Sequence, residues 1–157
     1  MKAKRAARGF THILLPTDGT RLSERAARDA IDLARVSHAK LTALHVIAPF
    51  QPPYYSEGYV SQAQLYSSTE YDRMARLEAE RLLAKVAAQA RAAKVDCEAV
   101  TVEGSMPWKA IVETARKRDC DLIMMASHGR SGVEALIMGS ETRKVLAHTK
   151  KPVLVCR

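Results

Sequence analysis

Ser127-His128-Gly129-Arg130-Ser131-Gly132 brings two glycines together with hydroxyl, imidazole and guanidinium groups, and Gly139-Ser140 follow after a short apolar turn. Glycines can take positive φ and leave backbone N–H groups uncovered. The preceding run, Leu122 to Ala126, is continuously apolar and short, as suits a strand buried on both faces of a parallel sheet. Gly139-Ser140 opens the last helix, with Ser140 placed to cap it. A strand, a glycine loop and a helix start can gather amides around an anion such as a phosphate, and the ligand expected of that arrangement is a nucleotide. A tight strand-to-helix turn with no ligand has the same spacing. A second candidate group is Asp18, in Pro16-Thr17-Asp18, where another apolar run ends.

The elements that must position these groups read in order. His12–Pro16 is a first strand, and Thr17-Asp18-Gly19-Thr20 a turn in which Thr20 or Ser23 can cap a helix. Leu22–Ser37 places Leu22, Ala26, Ala30 and Ala34 at helical spacing, with Arg21, Arg25, Arg28 and Asp29 outward. Lys40–Ile47 reads as the second strand, with His45 a packed, hydrogen-bonded core residue rather than a ligand. Ala48–Gln64 is a long irregular stretch carrying Tyr54, Tyr55 and Tyr59, which suit a ligand lid, a partner contact or a plain surface loop. A long helix runs from about Ser67 to Ala93, in which Met74 and Leu77 begin an apolar, core-facing stripe that Leu82, Val86 and Ala90 continue. Val95–Val102 alternates as an edge strand would, and Gly104-Ser105 caps a helix with Pro107 in its first turn. That helix turns Trp108, Ile111, Val112 and Ala115 inward. After the pivotal stretch and a helix to about His148, Val153–Cys156 is the last strand.

This alternation predicts an α/β fold: a doubly wound, five-stranded parallel sheet with helices on both faces. Residues 1–9 form a basic tail and 10–157 a single domain. Of the formal charge of +8, Lys2, Lys4, Arg5 and Arg8 supply half. No stacking aromatics or recognition helix accompany that tail, which argues against a nucleic-acid partner. No apolar run is long enough to span a membrane, and no apolar signal core follows the basic N-terminus. Cys97, Cys120 and Cys156 lack metal-ligand spacing and read as reduced thiols of a cytoplasmic protein.

Two strand orders fit. In 3-2-1-4-5 the crevice lies between Asp18, after strand 1, and the glycine loop after strand 4; in 2-1-3-4-5 Asp18 would face Glu103–Met106 instead. The segments HILLPTDGT, LTALHVI and MMASHGRSGVEALIMGSETRKVLAHTKKPVLVCR resemble the universal stress protein (UspA-like) family, ATP-binding type. The resemblance runs from Phe10 to Arg157 and is weakest around residues 50–70. Of the family's G-x2-G-x9-G-[S/T] pattern, Gly129, Gly139 and Ser140 match, while Ala126 stands at the first glycine.

The resemblance implies the 3-2-1-4-5 order and an ATP site, with Mg²⁺ or Mn²⁺ able to accompany the nucleotide. It places Pro16, Thr17 and Asp18 at the ribose or a phosphate-bound metal, and the Val46 backbone at adenine. Around the phosphates it places Ala126, Ser127, His128, Gly129, Arg130 and Gly132, with Gly139, Ser140, Glu141 and Thr142. It also implies a homodimer joined through Val153, Leu154, Val155 and Cys156. Walker A is absent and no G-x-S-x-G elbow exists, so the expectation is an ATP-binding regulatory dimer in stress response rather than an enzyme. The alternatives are a nucleotide-independent interaction protein with a vestigial pocket, or a slow ATPase.

Overall fold

The computed structural model describes residues 9–51, 67–128 and 138–157. Its elements are β1 (His12–Pro16), α1 (Arg21–Ser37), β2 (Lys40–Ile47), α2 (Ser68–Ala92), β3 (Cys97–Glu103), α3 (Pro107–Lys117), β4 (Leu122–Ala126), α4 (Ser140–His148) and β5 (Val153–Cys156). All neighbours are parallel, in the order β3-β2-β1-β4-β5. The alternative order, 2-1-3-4-5, is excluded. No helix of the described residues is long and apolar enough to cross a membrane.

Burial on both faces accounts for the continuously apolar strands. Ile13 and Leu15 of β1 and Leu122 and Met124 of β4 pack in one cluster with Ala26, Ala30, Leu83 and Val86 of α1 and α2. Leu14, Ile123 and Met125 point the other way, into a cluster with Ile111 and Ala115 of α3 and Val145 of α4. Alternate residues of one strand therefore serve two cores, so neither face can be polar.

Three expectations need correcting. β3 begins at Cys97, not Val95, because Val95 N–H closes the end of α2 on Ala90 C=O. α3 takes Met106 as its N-cap with no side-chain cap bond; Ser105 does not cap it. On α2, Leu82, Val86 and Ala90 are buried as expected, but Met74 and Leu77 face solvent. The stripe near the helix start is not a core stripe.

The entry of β1 is pinned by Asp121. Its carboxylate accepts Thr11 N–H (2.9 Å), Thr11 Oγ1–H (2.8 Å) and His12 N–H (2.9 Å). Burial pushes this carboxyl up, but the N–H and O–H donors of His12 and Thr11 outweigh it and hold it below the usual carboxylate range. A group whose pKa is depressed by folding stabilises above its unfolded pKa and loses that contribution as pH falls through the folded value. Asp121→Ala should therefore cost about 2 kcal/mol at neutral pH, in the range for hydrogen bonds to a charged group. The difference from the wild type should shrink below about pH 4. Denaturant titrations at pH 7 and pH 3 check this; an equal gap at both values would remove the carboxylate from the account.

Candidate functional site

The sheet order reverses between β1 and β4, and a crevice opens beyond their carboxyl ends. Its cause is visible in the ladder. β1 stays paired with β2 through Pro16↔Leu44, and β4 with β5 through Ala126↔Cys156. Between β1 and β4 the register holds only for Ile13↔Leu122 and Leu14↔Ile123. Odd residues of this part of the chain face β2, since Lys40 N–H bonds Thr11 C=O and Thr17 N–H bonds Leu44 C=O. Even ones face β4, since Asp121 N–H bonds His12 C=O. Pro16 thus falls where the next donor to β4 would be, and proline has none. The strands part there, over a cavity of about 470 Å³, within the range of small-molecule sites.

On the β1 side, Gly19 turns the chain at φ +79°. Asp18 Oδ1 accepts Thr20 N–H (3.0 Å) and Thr20 Oγ1–H (2.7 Å), while Thr20 Oγ1 accepts Ser23 N–H (3.2 Å) at the start of α1. Asp18 is therefore held by the cap of the helix that follows it. His45, buried in β2, donates Nδ1–H to Thr17 C=O (2.8 Å) and fixes the carbonyl of this turn, the core role expected of it. At the end of β2, Ile47 C=O is taken by Gly104 N–H on the β3 side. By the alternation along a strand, Val46 directs its own N–H and C=O to the β1 side. The β1 rungs have already ended there, so this backbone edge borders the crevice.

On the β4 side, Ser127 N–H is held by Cys156 C=O (2.8 Å), and Ser127 C=O accepts Gly139 N–H (2.8 Å). Thr142 Oγ1 donates to Ala126 C=O (3.1 Å), and it is buried. The two ends of the segment between β4 and α4 are thus tied together. Ala126 completes β4 in register with Cys156, an extended position where a methyl group imposes no backbone strain. Ser127 Oγ lies 2.8 Å from His128 Nδ1. That hydroxyl has no other partner among the described residues. Nε2 is buried without a partner among the described residues.

Gly139, not Ser140, is the N-cap of α4, and no side chain caps it. Ser140 is exposed in the first turn. The N–H groups of Ser140, Glu141 and Thr142 precede the first intrahelical bond, from Arg143 N–H to Gly139 C=O, and have no partner within the helix. The Glu141 carboxylate is engaged elsewhere. It accepts Trp108 N–H (2.9 Å) at the uncapped start of α3 and bonds Lys144 Nζ (2.9 Å).

Of the residues singled out from sequence, Pro16, Thr17, Asp18, Val46, Ala126 and His128 border the cavity. Gly139, Ser140, Glu141 and Thr142 border it too, and Ser127 lies buried behind them. Gly129, Arg130 and Gly132 lie outside the described residues, as do Tyr54, Tyr55 and Tyr59 of the proposed lid. Sequence reasoning missed two walls, one from α3 at Pro107 and Ile111 and one from α2. Tyr71, Ala75 and Glu78 of α2 border the cavity at i, i+4, i+7 spacing, which is one helix face. It missed the Glu141 bridge as well, which no local pattern announces.

Comparison with known proteins follows the same outline. The universal stress protein family model matches residues 9–157. A universal stress protein of Methanocaldococcus jannaschii is 31% identical over 150 residues, covering 94% of this chain and 82% of that one. One from Thermus aquaticus is 33% identical over 149 residues, covering 94% and 99%. Among solved structures, a protein of Methanocaldococcus jannaschii described as hypothetical aligns with TM-score 0.76 at 24% identity, over 94% of this chain and 96% of that one. A universal stress protein in complex with cAMP gives 0.65 at 23%, over 94% and 96%. One from Archaeoglobus fulgidus in complex with dAMP gives 0.64 at 20%, over 95% and 99%. These three likenesses speak for the fold; the family model and the two relatives speak for descent. The chain belongs to the universal stress protein family.

Proposed function

We propose that this chain is an adenine-nucleotide-binding regulatory protein that takes ATP at the crevice between β1 and β4. The observation that carries this is the meeting, in one cavity, of the Val46 backbone edge with the uncapped amides of Ser140, Glu141 and Thr142. An N–H beside a C=O suits a purine edge, and a helix start suits phosphate. Relatives of the same fold in complex with cAMP and dAMP support an adenine nucleotide as the ligand class.

In this reading Val46 meets adenine through its main chain, Pro16 and Thr17 wall the ribose, and Asp18 faces the ribose or a phosphate-bound ion. Ser140, Glu141 and Thr142 meet the phosphates through backbone N–H groups, since the Glu141 carboxylate caps α3, and Gly139 borders them with its own N–H already donated to Ser127 C=O. Ala126, Ser127 and His128 form the floor on the β4 side, and Gly129, Arg130 and Gly132 join them on the sequence pattern alone. Among the described residues no cluster of three His, Cys, Asp or Glu side chains forms a metal site. A Mg²⁺ or Mn²⁺ would then arrive as the nucleotide's counter-ion, near Asp18. The role is binding rather than turnover, since the chain lacks the Walker A lysine that serves phosphoryl transfer in P-loop enzymes. The protein acts as a cytoplasmic homodimer joined through Val153, Leu154, Val155 and Cys156 of β5. That strand ends the sheet with Leu154 39% exposed, an edge that proteins generally cover.

Thermal unfolding tests the nucleotide. On protein shown to be free of carried-over nucleotide, ATP with Mg²⁺ at 100 times its Kd should stabilise by about 2.7 kcal/mol. That corresponds to a rise of about 5–10 °C in Tm. No shift with ATP, cAMP or dAMP would sink the nucleotide reading and leave a protein that works through partner contacts.

A further inference from the structure

We propose that Tyr71, at the start of α2, is the aromatic wall of the base subsite and stacks on the purine held at Val46; this rests on the adenine-nucleotide reading above. Three observations place it there. Tyr71 borders the cavity together with Val46, Ile47 and Ala48. Its hydroxyl donates to Ala48 C=O (3.2 Å), two residues beyond Val46. Its ring is braced by Phe50, with centroids 5.4 Å apart and planes tilted by 58°. The ring is thus tied at its polar end and supported on its apolar side, which fixes its position against the end of β2.

The face that carries it is shaped to receive a flat group. One helical turn on, Ala75 borders the same cavity and extends no farther than a methyl. A large ring beside a small residue at i, i+4 leaves a slot along the helix. Across the cavity stand Pro107 and Ile111 of α3, also apolar. A purine seated with its edge on the Val46 main chain would lie between these walls, its faces covered by apolar and aromatic surface and its edge satisfied by backbone. The phosphate end, at α4, offers the amides of Ser140, Glu141 and Thr142. Tyr71 and Ala75 thus belong to the base half of the site, and the α4 amides to the phosphate half.

That division gives Tyr71 a signature distinct from a merely structural contact. Loss of the ring should weaken every adenine ligand by the same factor, whether or not it carries phosphate. Isothermal titration of adenosine, AMP and cAMP into the full chain measures this for the wild type, Tyr71→Phe and Tyr71→Leu. Stacking on an aromatic ring predicts about a tenfold loss for all three ligands in Tyr71→Leu, with the ratio of AMP to adenosine affinity unchanged. Tyr71→Phe keeps the ring and should stay within about threefold of the wild type. A Tyr71→Leu protein that binds adenosine as well as the wild type overturns the proposal. So does one that loses only the phosphorylated ligands, or a Tyr71→Phe protein as weak as Tyr71→Leu, which would assign the effect to the Ala48 tie. If the wild type binds none of the three, and ATP no better, the nucleotide reading itself fails and the base subsite fails with it. Urea unfolding of each variant, run alongside, separates lost affinity from lost fold.

Discussion

Gly139→Asp is expected to abolish phosphate-dependent binding while leaving the free protein as stable as before, or slightly more so. The two effects have opposite signs for one physical reason. Gly139 occupies the N-cap of α4 and offers no side chain to its first turn. The N–H groups of Ser140, Glu141 and Thr142 therefore have no partner within the helix, beside the cavity. Aspartate at an N-cap accepts one of those donors and places a negative charge at the positive end of the helix. Relative to glycine that gains a few tenths of a kcal/mol. The backbone at Gly139, φ −57° and ψ 152°, is open to any residue, so no backbone strain offsets the gain. A phosphate would then meet a carboxylate in place of free amides, and its affinity should fall by at least about a hundredfold, a loss of about 2.7 kcal/mol or more. Adenosine, without phosphate, should lose far less. Titrations of ATP, AMP and adenosine into both proteins, with melting curves, measure both signs. An aspartate variant that still binds AMP like the wild type would place the phosphates elsewhere than α4.

The legibility of this site in the sequence follows the range of the interactions that build it. β1 and β4 were readable because burial on two faces leaves an unbroken apolar signature, as in Leu122–Ala126. The start of α4 after Gly139 is likewise a local signal, and the helix begins there. One residue was misplaced there: Ser140 reads as a cap, yet Gly139 holds the cap position. The cap at this helix is set by where Ser127 C=O takes Gly139 N–H, a bond across the segment that no neighbouring residue encodes. The boundary of β3 slipped for the same reason, since Val95 looks like strand but its N–H belongs to the end of α2.

The 3-2-1-4-5 order was not readable from the alternation of elements, which suits 2-1-3-4-5 equally well. The sequence does carry a physical trace of it in Pro16. A donor is missing on the side facing β4, where the sheet must part. The α2 wall left no trace of its own. Tyr71 and Ala75 sit among Met74 and Leu77, and periodicity alone cannot tell a face that looks into a cavity from one that looks into solvent. The Glu141–Trp108 bond joins residues far apart in sequence and follows only from the packing of α3 on α4.

Gly19→Val should give a large loss of stability, and its cause lies in the turn that presents Asp18. Gly19 sits at φ +79°, where a β-branched residue is strained. A Cβ built there would also lie 2.6 Å from Leu82 Cδ2, 3.0 Å from Cδ1 and 3.4 Å from Cγ. Leu82 is buried, and its Cδ atoms must swing aside to admit the new side chain. Backbone strain and overpacking together should cost about 3–5 kcal/mol. For a chain of this size that lowers Tm by about 10 °C. Gly19→Ala combined with Leu82→Ala separates the two contributions. Truncating Leu82 removes the clash but not the strain, so the double variant should be less destabilised than the sum of the single ones, by about 1 kcal/mol or more. Strict additivity would mean that the turn and α2 do not meet. Gly19→Val should also weaken nucleotide binding, because Asp18 is held by Thr20 across the turn that Gly19 permits. If Gly19→Val melts like the wild type, the close approach of α2 to this turn is wrong, and the α2 wall of the cavity is wrong with it.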